Sequence, residues 1–325
     1  MKERKLLSAK ELAANTNPGR VFDQVTVVVK DLETVKGKIV KYYKLDKWID
    51  GCLYGRKTSS AWMQDVEIVL LEVGSENDAW KMFSDRYSEG IACTRENVSA
   101  EKYASELERY KALGVEVAGE YEDSTGKTAI LNTLDRIGGF LAIHFDASDR
   151  QFPAEELRND RKFVQINVTT PDVEETCAQL CELLQIGPFG IGNLGTSTTK
   201  NSFIRVDGKR SSEEWKIRLG MCPFCSIEWE VIQPVTGRTV YKKFTDRRGV
   251  GYHHFKEKIP LETQEQILQA YEDNGMPLCI KGTFDVTTFA YLDSEEDFKF
   301  YVEMGDCLIP QNPPAEYDEK PFPAE

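Results

Sequence analysis

The feature that most constrains this chain of 325 residues is that it repeats itself. Phe22 to Glu33 is echoed by Phe163 to Glu174: each reads as a strand running into an acidic helix start, with Gln24 and Gln165 at the same place. Ala79 to Gly90 matches Val240 to Gly251 without a gap, which puts Cys93 where His254 falls. A helix ending at Leu113-Gly114-Val115 corresponds to one ending at Asn274-Gly275-Met276, and each precedes strands that close at Gly138–Phe145 and Phe298–Met304. Self-similarity over such lengths means repeated architecture, here two similar domains. Within each, a strand-helix-strands unit occurs twice, for example Phe163 to Pro234 and then Gly251 to Gly305. The expected layout is an extension over 1–20, domains over 21–147 and 162–306, and a tail over 307–325. The polar stretch Asp146–Arg161 separates the domains. From Ile309 the tail is Pro-rich and acidic, so it is either disordered or an extended arm over the body.

The length suits two domains, each able to bury a core. A net charge of −13 argues against nucleic-acid or anionic-membrane partners, which need Lys and Arg to neutralise phosphate. No apolar run approaches a membrane span and the N-terminus has no export-type apolar segment, so the chain reads as cytoplasmic. Its eight cysteines are then expected to be reduced. Cys222 and Cys225 form a lone CxxC, and Cys177 and Cys181 lie one helical turn apart on an apolar stripe, where buried thiols are the ordinary outcome.

The chemistry concentrates between Ile227 and His254. Alternation of Ile227, Trp229 and Val231 against Glu228, Glu230 and Ile232 is a strand pattern ended by Pro234 and Gly237, and it sets Glu230 on one face. A short amphipathic helix over Val240–Arg248 follows, and the turn Gly249-Val250-Gly251 then delivers His253 and His254 into a new strand. Adjacent strand residues face opposite ways, so one imidazole of the pair can enter a site. Glu303 lies in an apolar strand, where a carboxylate costs several kcal/mol unless it is paired or bound to a metal.

Together these segments resemble the vicinal oxygen chelate superfamily, the fold of glyoxalase I, methylmalonyl-CoA epimerase and the extradiol ring-cleaving dioxygenases, over about residues 21 to 305. The ELIxP-like strand end at Glu230–Pro234, the YxxF of Tyr241 and Phe244, and the GxGxHH from Gly249 to His254 look most like methylmalonyl-CoA epimerase. The resemblance implies an α+β fold of two tandem domains, each made of paired βαβββ units forming a curved mixed sheet around a pocket. It places four metal-ligand slots of the second domain at Gln165, Glu230, His254 and Glu303. His254 is preferred to His253 because it precedes Phe255 as the family ligand precedes its apolar residue. The set of one imidazole, one amide oxygen and two carboxylates suits one divalent ion of zinc, cobalt, nickel or manganese. In the first domain the slots hold Gln24, Val69, Cys93 and a residue near Ala142 or Ile143. Val69 ligates nothing, so that domain reads as a degenerate copy. His253 and His144 are expected to be structural.

The activity implied is that of an isomerase or epimerase moving a proton on carbon adjacent to a carbonyl of a small-molecule substrate. Glu303 would be the base and Glu230 a ligand able to serve the opposite face. Arg218 falls near the position where such epimerases place a second glutamate. There it would hold an anionic substrate group, the alternative being a solvent-facing arginine on an edge strand. Two other classes stay open. One is an extradiol-type dioxygenase, disfavoured because those enzymes hold iron with two histidines and Gln165 stands in the first histidine slot. The other is a non-catalytic binding protein with an aromatic groove near Trp62 and Trp80. The sequence also leaves monomer and homodimer open.

Overall fold

The computed structural model describes residues 8–14, 20–122, 126–146, 152–224 and 227–324. Part of the expected linker (147–151) and Cys225 of the CxxC pair lie outside the described residues. Two compact units emerge: the first holds residues 19–163 with Ser294–Phe300, the second Val164–Asp293 and Tyr301–Glu325 with the short helix α1 (Ala9–Ala14).

In the first unit, β1 (Arg20–Val29), α2 (Leu32–Lys38), β2 (Ile49–Leu53), β3 (Arg56–Met63) and β4 (Val66–Glu72) form one βαβββ half. Helix α3 (Ala79–Tyr87) leads to the other: β5 (Gly90–Val98), α4 (Ala100–Ala112), β6 (Val117–Glu122), β7 (Gly126–Leu131), α5 (Leu134–Ile137) and β8 (Phe140–Asp146). The strands run in the order β2-β3-β4-β1-β5-β8-β7-β6, with β9 (Arg158–Asn159) beside β3. Each half closes with a parallel pair, β1 on β4 and β5 on β8, and the halves join through antiparallel β1 and β5. The valine run of β1 is buried at nearly every position, as expected of a strand covered on both faces.

The second unit repeats this plan. Its first half is β10 (Lys162–Thr169), α6 (Val173–Leu184), β11 (Phe189–Gly195), the inserted hairpin β12 (Lys200–Val206) and β13 (Lys209–Ser211), β14 (Lys216–Phe224) and β15 (Ile227–Thr236). Helix α7 (Val240–Arg248) precedes the second half: β16 (Gly251–Lys258), α8 (Leu261–Asp273), β17 (Leu278–Phe284), β18 (Thr287–Leu292) and β19 (Tyr301–Gly305), while α9 (Glu295–Phe298), which lies between the last two in the chain, belongs to the first unit. The order is β13-β12-β17-β18-β19-β16-β10-β15-β14-β11-β20, where β20 (Lys320–Phe322) comes from the tail. The acidic helix starts of the repeat are N-caps: Asp31 accepts a hydrogen bond from the Thr34 amide at 2.9 Å, and Asp172 from the Glu175 amide at 3.1 Å. This architecture is the α+β tandem fold expected from the sequence.

The tail is an extended arm. Strand β20 pairs antiparallel with β11, and Tyr317 is buried in a cluster with Trp215, Leu219, Phe289 and Tyr291. Two glycines two residues apart on β11 make room for the arm. A Cβ on Gly192 would come within 2.5 Å of the Tyr317 ring, and one on Gly190 within 2.7 Å of the Glu319 carboxyl.

His144 is the satisfied core histidine expected of it. Its Nδ1 shares a hydrogen bond with the Thr128 hydroxyl at 2.8 Å, and its Nε2 lies 3.0 Å from Asp146 Oδ1. Burial, reinforced by Arg95, lowers its pKa in spite of Asp146. With the folded pKa below the unfolded value, the unfolded chain takes up the proton first as pH falls. Stability is therefore fully present above about pH 6.5 and is lost as pH drops toward the folded pKa. Denaturant melts at stepped pH should show this slope, and His144→Gln should flatten it; an unchanged slope would place the proton uptake elsewhere.

Candidate metal centre

Strand register assembles the site. Parallel pairing sets Gln165 opposite Glu228 and Asn167 opposite Glu230 on β10 and β15, and His254 opposite Tyr301 and Lys256 opposite Glu303 on β16 and β19. Because side chains alternate along a strand, Glu228 and Glu230 share one face, as do His254 and Lys256.

Three of these groups converge. Glu230, His254 and Glu303 are all buried and offer ligand atoms within 4.8 Å of one another. His254 Nε2 lies 3.0 Å from Glu230 Oε2 and 3.3 Å from Glu303 Oε2. Two ligands each about 2.1 Å from a shared ion and at right angles would stand about 3.0 Å apart, so the spacing fits a divalent metal. Gln165 lies two residues before Asn167 on the same face of β10. Its Oε1 is buried and has no hydrogen-bond partner, the state expected of an oxygen reserved for a cation.

The surrounding residues fix each ligand. Asn167 Nδ2 donates to Glu230 Oε2 at 2.9 Å, and the Thr169 hydroxyl donates to Asn167 Oδ1 at 2.7 Å. The Tyr291 hydroxyl donates to Glu303 Oε2 at 3.0 Å and lies 3.2 Å from His254 Nε2. The Lys256 ammonium sits 3.0 Å from Glu303 Oε1. Behind His254, its Nδ1 lies 2.8 Å from Nδ1 of His253, a ring stacked on Tyr301 at 4.5 Å and met edge-on by Phe244.

Charge follows from these contacts. Burial opposes ionisation of Glu303, but Lys256 and His254 outweigh it and bring the carboxyl down to about 2. For His254, burial is likewise outweighed by Glu230 and Glu303, and its pKa is raised. Burial, joined by the neighbouring His254 and Arg247, keeps His253 neutral, well below the usual imidazole range. Glu228 is pushed up to about 7 by burial, against the pull of Lys256.

Arg218 does not join them. It pairs in register with Gln233 on β15, whereas Glu230 pairs with Met221, so alternation puts Arg218 on the opposite face of the sheet. There it meets Glu174 of α6 at 2.7 Å, half exposed. The expected contact with substrate is corrected: this arginine belongs to the helix-covered side. Sequence reasoning missed Asn167, Lys256 and Tyr291. The first two carried a signal, each being a polar residue two places from an expected ligand on a buried strand. Tyr291 had none, since only the pairing of β18 with β19 brings it opposite Glu303.

The first unit keeps the same register without the cluster. Gln24 pairs with Glu67, Thr26 with Val69 and with Cys93, and Arg95 with Ala142, which identifies Ala142 as the fourth slot. Its polar groups satisfy one another: Gln24 donates to Glu67 at 2.6 Å, Tyr54 donates to Gln24 at 3.1 Å, and Arg95 grips Asp23 through two contacts of 2.9 Å. Trp80 is fully buried and stacks on Tyr54, while Trp62 meets Phe152 edge-on, so the aromatic groove considered from the sequence is packed core at Trp80. Among the described residues, Glu230, His254 and Glu303 are the one group arranged to hold a metal.

Solved structures share this fold. A triple mutant of 4-hydroxymandelate synthase from Streptomyces coelicolor superposes with a TM-score of 0.60 at 10% identity, covering 90% of this chain and 93% of that one. For 2,2',3-trihydroxybiphenyl 1,2-dioxygenase from Sphingomonas wittichii strain RW1 the values are 0.54, 12%, 89% and 90%. For a Mn(II)-bound glyoxalase from Novosphingobium aromaticivorans they are 0.50, 12%, 92% and 82%. No family model and no curated protein matches the sequence. The chain therefore has the vicinal oxygen chelate fold in two tandem copies. Closeness to methylmalonyl-CoA epimerase in particular is not among these findings. No helix among the described residues is long and apolar enough to cross a membrane.

Proposed function

We propose that the second unit is a divalent-metal enzyme of the isomerase or epimerase type, moving a proton on carbon adjacent to a carbonyl. The observation that carries this reading is the buried convergence of one imidazole and two carboxylates at ion-sharing distances. Gln165, Glu230, His254 and Glu303 would hold the ion, and when bound it would supply Lewis-acid polarisation of the substrate's carbonyl oxygen. The oxygen-rich, single-imidazole set differs from the two-histidine, one-carboxylate triad of non-haem iron oxygenases.

The two glutamates divide the work differently from the sequence expectation. Glu303 has both oxygens engaged, Oε1 by Lys256 and Oε2 by Tyr291 and His254, which suits a permanently charged ligand. The contacts of Glu230 from Asn167 and His254 both end on Oε2. Oε1 of Glu230 is thus the carboxylate oxygen able to take a proton from substrate, and Asn167 holds the group in place while it does so.

Elemental analysis of the purified protein beside a Glu230→Ala/His254→Ala variant tests the site: one divalent ion per chain, lost in the variant, is the expected result. Deuterium exchange from solvent into the carbon next to a carbonyl then tests the chemistry. Oxygen uptake with a catechol and no such exchange would replace the isomerase reading with ring cleavage. Metal in equal amounts in both proteins would remove the site.

A further inference from the structure

We propose that His253 is a positioning residue of the metal centre, which fixes the tautomer and ring orientation of His254 through a direct imidazole-imidazole hydrogen bond; this rests on the metal-site reading above.

The argument is one of proton placement. His254 turns Nε2 toward Glu230 and Glu303, so a cation there needs the bare lone pair on Nε2 and the ring proton on Nδ1. That N–H is buried and requires an acceptor. The group in reach is His253 Nδ1, at 2.8 Å. A neutral His253 presents the matching lone pair when its own proton sits on Nε2, a buried nitrogen that has no hydrogen-bond partner of its own. Its ring has little freedom to turn away, being stacked on Tyr301 and held edge-on by Phe244 and His254. The β16 backbone sends the two side chains to opposite faces, yet both rings lean back to meet at Nδ1. Metal-bound imidazoles generally donate the far N–H to a carboxylate, carbonyl or water, and loss of that acceptor typically costs about 10–100-fold in affinity. Here a neighbouring imidazole fills the role, which the first unit cannot copy because Ala92 and Cys93 stand at the equivalent places.

Cobalt(II) titrations followed by visible absorption test this on the full chain, in wild type, His254→Ala, His253→Phe and His253→Asn. Phenylalanine keeps the ring stacking and removes the acceptor, whereas asparagine places Oδ1 where Nδ1 was. The expected result is binding about 10–100-fold weaker in His253→Phe, with an altered cobalt spectrum, and recovery to near the wild-type value in His253→Asn. Wild-type affinity in His253→Phe would overturn the proposal and mark the ring as packing alone, and equal weakening in both His253 variants would overturn it too, because an acceptor restored by asparagine would then have rescued nothing. Undiminished binding in His254→Ala would instead overturn the metal site itself, so the two failures are told apart.

Discussion

Glu303→Ala is expected to cost the metal-free protein about 3–5 kcal/mol of unfolding free energy, because it leaves the Lys256 ammonium buried without its partner. The Lys256 side chain is 10% exposed, and Glu303 Oε1 at 3.0 Å is the carboxylate that compensates it. The same change strips the Tyr291 hydroxyl of its acceptor. Replacing both ends by apolar groups, Glu303→Leu with Lys256→Met, should recover most of the loss, since breaking a buried pair costs far more than exchanging the whole pair for hydrophobic side chains. Urea denaturation in the presence of a chelator measures this. A loss below about 1 kcal/mol for the single variant would mean that Lys256 reaches water as a surface ion pair does.

Glu230→Gln should separate metal binding from catalysis. The amide keeps a neutral oxygen for the ion, but it cannot accept a proton. Turnover should fall by about 10²–10⁴-fold, the usual contribution of a positioned general base. Metal should remain, because His254 and Glu303 still converge. Turnover within a few-fold of wild type, measured as deuterium exchange from solvent, would move the proton transfer to another group. Loss of metal in proportion to activity would return Glu230 to a purely ligating role.

How much of this was legible follows from what each pattern encodes. The repeat carried the topology, because a strand-helix-strands unit found four times leaves few ways to build a sheet, and the elements formed with α7 over the expected Val240–Arg248. Glu230 and His254 stood out because a strand's alternation and a glycine-rich turn fix where they point. Arg218 was ambiguous for the same physical reason: alternation says that neighbours face opposite ways without saying which face is inside, and only pairing with Gln233 settled it. Tyr291 was invisible because its partner is Glu303, on another strand, and Lys256 offered only its place two residues after His254. The tail gave two readings because proline and acidic content describe a segment that cannot form a core of its own. They say nothing of the two glycines on β11 that receive it.

The matched registers of the two units have an experimental use. Gln24, Glu67 and Arg95 occupy the places of Gln165, Glu228 and Lys256, while Val69, Cys93 and Ala142 replace Glu230, His254 and Glu303. One polypeptide thus contains a candidate centre together with its own blank, of the same strand geometry and exposed to the same solution. Grafting the three ligating side chains into the blank would ask whether geometry alone makes a site, or whether the unpaired oxygen of Gln165 and the His253 ring are part of what must be supplied.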